Sequence, residues 1–167
     1  MKSLELKGCN FVRKITILLA SGFGLGLSPI APGTAGTLLG LAVVVLARSL
    51  PHLAWQIVLA AGLVVLAIPI CTIAENHFRT KDDSRIVADE YMTFPICLLG
   101  LDWYSHPYLL VVAFLTHRVF DILKPFPAWR IQKLAGGKGI VLDDVVSSIY
   151  ALAVNFAIYR AVEYFWP

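Results

Sequence analysis

From Ala54 to Ala74 the chain runs 21 residues without one charged side chain. About 20 mostly apolar residues in a helix span the hydrocarbon core of a bilayer, so this segment points to a membrane before any motif is considered. Composition agrees. Hydrophobic residues make up 58% of the 167 residues and charged ones 15%, against about 45–50% and about 25% in soluble domains. These values exclude a disordered chain and argue against a soluble enzyme, and the length allows a single domain, residues 1–167. The net charge of +3 is too small to imply nucleic acid as a partner. Cys9, Cys71 and Cys97 form no CxxC or Cys/His cluster, so neither a disulfide framework nor a zinc site is expected, and packing is their expected role. No removable targeting segment is expected either: Glu5 interrupts the basic start, and Leu6-Lys7-Gly8-Cys9 has no apolar region before it.

Four further apolar stretches join the first: Thr37 to Leu50, Tyr91 to Leu101 with Trp103 and Tyr104 as an interfacial anchor, Tyr108 to Leu123, and Val145 to Trp166. The expected fold is therefore all-α, a polytopic helical bundle of about five spans. Ile15 to Thr34 is broken by Gly22, Gly24, Gly26, Pro29 and Pro32 and is expected to be re-entrant or interfacial. With the N-terminus inside, 12 of the 14 basic residues fall on the inner side, leaving Arg48 and Arg160 outside, as the positive-inside rule requires. Nine of the 11 acidic residues fall on that side too, all but Asp102 and Glu163. Ionisable groups beside membrane segments are costly and usually functional, so the chemistry is expected at the inner face.

Four constellations carry candidate chemistry. Asp82-Asp83-Ser84-Arg85-Ile86-Val87-Ala88-Asp89-Glu90 crowds carboxylates that repel one another unless a cation or a shared proton intervenes; a helix N-terminus relieves part of that repulsion and is the structural alternative. Arg118, Asp121 and Lys124 recur every third residue along one side of a helix. There the two cations suit phosphate oxygens and the aspartate suits a metal, unless Arg118 and Asp121 simply pair. His117 beside them reads as a packing residue. In Gly136-Gly137-Lys138-Gly139, followed by Asp143 and Asp144, the glycines offer backbone N–H groups and Lys138 a charge to an anion. One of the two aspartates suits an N-cap and the pair suits a metal. Finally, Gly22 to Thr37 supplies hydroxyls from Ser28, Thr34 and Thr37, while its GxxxG spacings suit close helix packing equally well. Converging carboxylates favour Mg²⁺ over zinc. No Cys-x5-Arg loop, DxDx[TV] nucleophile motif, Lys-x6-Arg-Pro or Asp-Gly-x2-Ala-Arg pattern is present, which leaves carboxylate–metal chemistry.

Taken together, these blocks resemble the phosphatidylglycerophosphatase A family from about Gly22 to Ser148. The resemblance is carried by Ser-Pro-x-x-Pro-Gly-Thr at Ser28 to Thr34, by Ile86 to Glu90, by Arg118 to Pro125 and by Gly136 to Asp144. Thr37, where serine is common, and His117, where an aromatic is usual, depart from the pattern. The resemblance implies an Mg²⁺-dependent phosphatase of the bacterial inner membrane that converts phosphatidylglycerophosphate to phosphatidylglycerol. It also implies Asp82, Asp89, Glu90, Asp121, Asp143 and Asp144 as metal-site residues. The expected catalytic set is Asp89, Asp121, Asp143, Arg118 and Lys124, with Arg118, Lys124, Lys138, Ser28 and Thr34 on the substrate phosphate. Water attacks the phosphorus in line, or an aspartyl-phosphate forms first. The expected partners are a phospholipid substrate and the bilayer, with a multi-pass topology and the active site on the cytoplasmic face. Competing expectations are a phosphatase for another lipid phosphate, such as phosphatidate, and a non-enzymatic membrane scaffold or transport subunit.

Overall fold

The computed structural model describes residues 2–50 and 52–165, with side chains described from Phe11 onward except at Arg48; Cys9, Lys2, Glu5 and Lys7 therefore lie outside the described side chains. The chain is 76% helical, with no strand among the described residues. Among the described residues seven α-helices follow one another: α1 (Lys2–Ala20), α2 (Pro32–Leu46), α3 (Leu53–Phe78), α4 (Ala88–Thr93), α5 (Tyr108–Leu123), α6 (Ala128–Ile131) and α7 (Gly137–Phe165).

Helices α3 and α7 are long and apolar enough to cross a membrane. At 1.5 Å per residue they measure about 39 and 44 Å, against about 30 Å of hydrocarbon. Mean hydropathy in the most apolar 18 residues of α3 is 2.7, yet only 22% of that window is buried in the protein. Its outward side chains, Trp55, Ile57, Val58, Val65 and Leu66 among them, are exposed. A soluble core helix would bury them.

Two cavities mark the two ends of the bundle and reveal its direction. Ala31–Gly33, Asp82–Ser84, Asp89, Glu90, Arg118, Asp121, Lys124 and Asp144 surround one. Val44, Leu50, Leu53, Leu59, Pro95 and Leu98–Tyr104 contribute to the other. The chain thus ascends along α2, descends along α3, ascends through α4, descends along α5 and ascends along α7.

The middle ascent differs from expectation. Tyr91 to Leu101 is no lipid-facing crossing helix: α4 stops after six residues and a 3-10 stretch, Phe94–Leu98, continues the path. Pro95 lacks the N–H that an α-helix would need there. Every residue of Ala88–Leu98 except Glu90 is buried, so irregular backbone is tolerated because protein, not lipid, surrounds it. The core follows from this placement. Ile86, Ala88, Tyr91 and Met92 pack with Ala67, Cys71, Ala74, Ile140 and Val141, while Phe94, Cys97 and Leu98 pack with Leu109, Ala113 and Ala151. Cys71 and Cys97 are free and buried, in keeping with a packing role.

Within Ile15 to Thr34, α1 continues to Ala20, and Gly22, Phe23 and Gly24 then take left-handed backbone (φ 55°, 59° and 95°). A 3-10 turn, Leu25–Leu27, and a proline-flanked loop complete a corner into α2.

Candidate active site

Five separate pieces of the chain deliver side chains to the 320 Å³ cavity at the charged end. Asp89 and Glu90 stand in the first turn of α4, where the helix dipole favours negative charge. Arg118 and Asp121 lie one turn apart on α5, and Lys124 closes that helix in left-handed conformation (φ 43°). Asp82, also left-handed (φ 51°), comes from the α3–α4 loop, and Ala31 (φ 48°) caps α2. Three of the five non-glycine residues with positive φ therefore line this one cavity, a concentration of backbone strain typical of functional sites.

Six carboxylates and two cations line the cavity, and Asp143 adds a seventh carboxylate through Lys124. Arg118 Nη1 donates to Asp121 Oδ2 at 2.7 Å and lies 3.6 Å from Glu90 Oε1. Lys124 Nζ donates to Asp143 Oδ2 and lies 3.9 Å from Asp82 Oδ2, which also accepts from Gln132 Nε2 at 2.7 Å. Four carboxylate oxygens, Asp89 Oδ1, Glu90 Oε2, Asp143 Oδ1 and Asp144 Oδ2, are buried without a donor. Buried polar atoms in folded proteins are nearly always partnered, so four together call for an explanation.

Burial raises the Asp89 carboxyl well above the ordinary carboxylate range, and the charges of Glu90, Asp82 and Asp121 add to it. Burial likewise pushes Glu90 up to about 8, with Asp121 adding to the rise and Arg118 opposing it. For Lys124, burial works against the ammonium, but the bond to Asp143 and the surrounding carboxylates prevail and raise it. Asp83 behaves differently. Arg85 chelates it through Nε and Nη2 at 2.7 and 2.8 Å and holds it below the usual range.

The donor set fits a hard divalent cation in kind: several carboxylates share one cavity, and three of their oxygens, with one more from neighbouring Asp143, are unpaired. Among the described residues, however, no three acidic, histidine or cysteine side chains form a ready-made metal-binding group. Asp121 and Asp143 instead lean on Arg118 and Lys124.

Asp82, Asp89, Glu90, Arg118, Asp121, Lys124 and Asp144 are thus brought together as expected, with Asp143 joined through Lys124. Three expected phosphate ligands are not. Ser28 Oγ donates to the Ile30 carbonyl and accepts from the Ile30 N–H, closing its own turn. Thr34 lies on the first turn of α2 outside the lining. Lys138 is exposed, also outside the lining. The glycine-loop and N-cap readings of residues 136–144 are likewise replaced. Helix α7 already begins at Gly137, so Asp143 and Asp144 sit well inside it. Gly137 and Gly139 have no room for a Cβ because the backbone carbonyls of Ile68 and Leu134 press on them. Gly137 N–H donates to Thr72 Oγ1 instead of facing an anion. His117 is fully buried against Phe94, a packing residue as expected.

Residues the sequence reading missed are Ala31, Pro32, Gly33 and Ser84 in the lining and Gln132 on Asp82. Only the Pro-Gly pair carried a local signal, and that signal marks a turn as readily as a site.

Residues 18–159 match the family described as Phosphatidylglycerophosphatase A. The chain belongs to the phosphatidylglycerophosphatase A family. Among its curated relatives, a Phosphatidylglycerophosphatase A of Haemophilus influenzae is 38% identical, covering 89% of this chain and 94% of that protein. A provisionally named phosphatidylinositol-3-phosphatase of Bacteroides thetaiotaomicron is 36% identical over 82% of this chain and 89% of that one. A Phosphatidylglycerophosphatase A of Escherichia coli is 32% identical over 90% and 84% respectively. No solved structure matches. The family match takes in all the acidic blocks of the cavity, from Asp82 to Asp144.

Proposed function

We propose that this chain is an Mg²⁺-dependent phosphatidylglycerophosphatase. It hydrolyses the terminal phosphate of phosphatidylglycerophosphate to leave phosphatidylglycerol. The observation that carries the reading is the meeting of Asp89, Glu90, Arg118, Asp121, Lys124 and Asp144 on one cavity at the end of an apolar bundle. A substrate with one phosphate in that cavity keeps its acyl chains in the bilayer.

Asp82, Asp89, Glu90, Asp121, Asp143 and Asp144 are the residues that would hold the ion. Mg²⁺ there supplies positive charge to the phosphate oxygens and lowers the cost of in-line attack by water. Arg118 and Lys124 draw the phosphoryl group in; each is already oriented by a carboxylate, so little side-chain freedom is lost on binding. Water's oxygen bonds to phosphorus, the bond to the glycerol oxygen breaks, and that oxygen takes up a proton. Burial raises the carboxyls of Asp89 and Glu90, so proton and cation compete for the same oxygens.

In this reading α2, α3, α5 and α7 cross the bacterial inner membrane, Ala88–Leu98 climbs inside the bundle, and the corner between α1 and α2 lies at the interface. Arg13, Arg79, Lys81, Arg85, Arg130, Lys133 and Lys138 lie in the segments that lead into or out of the acidic end, and by the positive-inside rule this charge bias supports a cytoplasmic orientation for it.

Purified protein in mixed micelles should release phosphate from phosphatidylglycerophosphate, stop with EDTA and resume with Mg²⁺. Phosphatidate and phosphatidylinositol 3-phosphate belong in the same panel, the latter because of the name of the Bacteroides relative. Faster release from either would reassign the substrate, and release from none would sink the enzymatic reading.

A further inference from the structure

The first turn of α2 meets the acidic cavity through a residue without a side chain. A Cβ built at Gly33 would overlap the Glu90 Oε1 atom and lie 3.0 and 3.2 Å from Nη1 and Nη2 of Arg118. All three neighbours are charged tips of flexible side chains, and both residues line the cavity. The other crowded glycines meet something else. At Gly26, Gly137 and Gly139 the nearest atom is a backbone carbonyl oxygen, of Arg85, Ile68 and Leu134, and at Gly62 nothing approaches within 4 Å. Gly36 is intermediate, touching Glu90 Oε2 but also the Cβ and carbonyl of Val87.

We propose that Gly33 is a positioning residue for the reaction: its missing side chain sets how far Glu90 and Arg118 reach into the cavity. Glu90 and Arg118 come from α4 and α5, and Gly33 in the first turn of α2 abuts both. With hydrogen at Gly33, the guanidinium lies between Glu90 and Asp121, 3.6 and 2.7 Å from their oxygens. A methyl group there pushes the pair outward, its three nearest neighbours all being these charged tips. The fold tolerates this, since the tips can swing and alanine suits a helix better than glycine. The site does not, because displacements near 1 Å of a phosphate-binding group cost about 100-fold in rate.

This inference rests on the phosphatase reading, so the experiment carries a readout that needs no turnover. Full-length wild type, Gly33→Ala and Gly62→Ala would be compared in detergent for kcat and KM on phosphatidylglycerophosphate. Thermal midpoint and calorimetric affinity for inorganic phosphate would be measured alongside. Gly33→Ala should lose about 10- to 100-fold in kcat and bind inorganic phosphate more weakly, with a midpoint no lower than wild type. Gly62→Ala should match wild type throughout. Shortening the partner should relieve the clash, so Glu90→Asp should cost less in the Gly33→Ala background than alone. Wild-type kcat and phosphate affinity in Gly33→Ala would overturn the proposal, as would losses that merely track a lowered midpoint or add independently to those of Glu90→Asp. If wild type binds phosphate but hydrolyses no lipid phosphate, the phosphatase reading fails, and the phosphate affinity of Gly33→Ala still decides the role of Gly33.

Discussion

The two ends of this bundle each hold a cavity, and the larger is the quieter. The 500 Å³ cavity is walled by Val44, Leu50, Leu53, Leu59 and Leu98–Leu101, rimmed by Trp103 and Tyr104. Gln56, its main interior polar group, is satisfied: Nε2 donates to the Leu50 carbonyl and Oε1 accepts from the Gly100 N–H. The 320 Å³ cavity at the other end is polar, strained in backbone, and holds unpaired carboxylate oxygens. Volume therefore says little about where chemistry happens. Electrostatic frustration says more, because burying like charges together is unfavourable and persists only where a ligand or reaction makes use of it.

Removing that frustration should have the largest effect. Asp89→Asn and Asp143→Asn keep the shape of buried side chains (7% and 1% exposed) while deleting a charge. Each should lower phosphate release by about 100- to 1,000-fold, the scale of losing a preorganised electrostatic contact, with membrane insertion unchanged. Near-normal turnover in both would break the contrast between the two ends.

Chelation and pH sharpen the contrast next. Glu90 is raised from 4.5 to about 8 by burial and by Asp121. A carboxyl raised in the folded state binds a proton that the unfolded chain has already released above pH 4.5. The metal-free protein should therefore be most stable below that value and lose thermal midpoint as pH rises through about 8. Mg²⁺ favours the ionised form, so its affinity should rise over the same interval and its addition should offset the loss. A metal-free midpoint independent of pH between 5 and 8 would contradict the raised Glu90 carboxyl.

Much of this end was legible in the sequence: Asp89, Glu90 and Asp121 stood out because charge is expensive beside apolar segments, Arg118 and Lys124 by their three-residue spacing from Asp121, and Asp144 by its pairing with Asp143. What escaped depends on contacts remote in sequence. Ser28 offers a hydroxyl that its own turn consumes, as hydrogen-bonding to Ile30 shows. The glycines at 136–139 looked like an anion loop, yet Gly137 and Gly139 are required by backbone pressing from Ile68 and Leu134. Tyr91–Leu101 had the apolarity of a span, but apolarity cannot distinguish a lipid-facing helix from a strand of chain buried among other helices. Gly33 meets Glu90 across 57 positions of sequence, which no local pattern encodes.

The smallest effect belongs to the apolar end. Gln56→Ala removes two hydrogen bonds that tie α3 to the Leu50 carbonyl and the Gly100 N–H. A typical intramolecular hydrogen bond contributes about 1 kcal/mol, so the thermal midpoint in detergent should fall modestly. The acidic cavity lies at the far end of the bundle and shares no lining residue with this one, so kcat should stay within about twofold of wild type, additivity being the rule for separated sites. A large fall in kcat without a fall in stability would mean that the two ends are coupled along Ala88–Leu98, the one buried element that contributes residues to both cavities and is enclosed throughout by its neighbours.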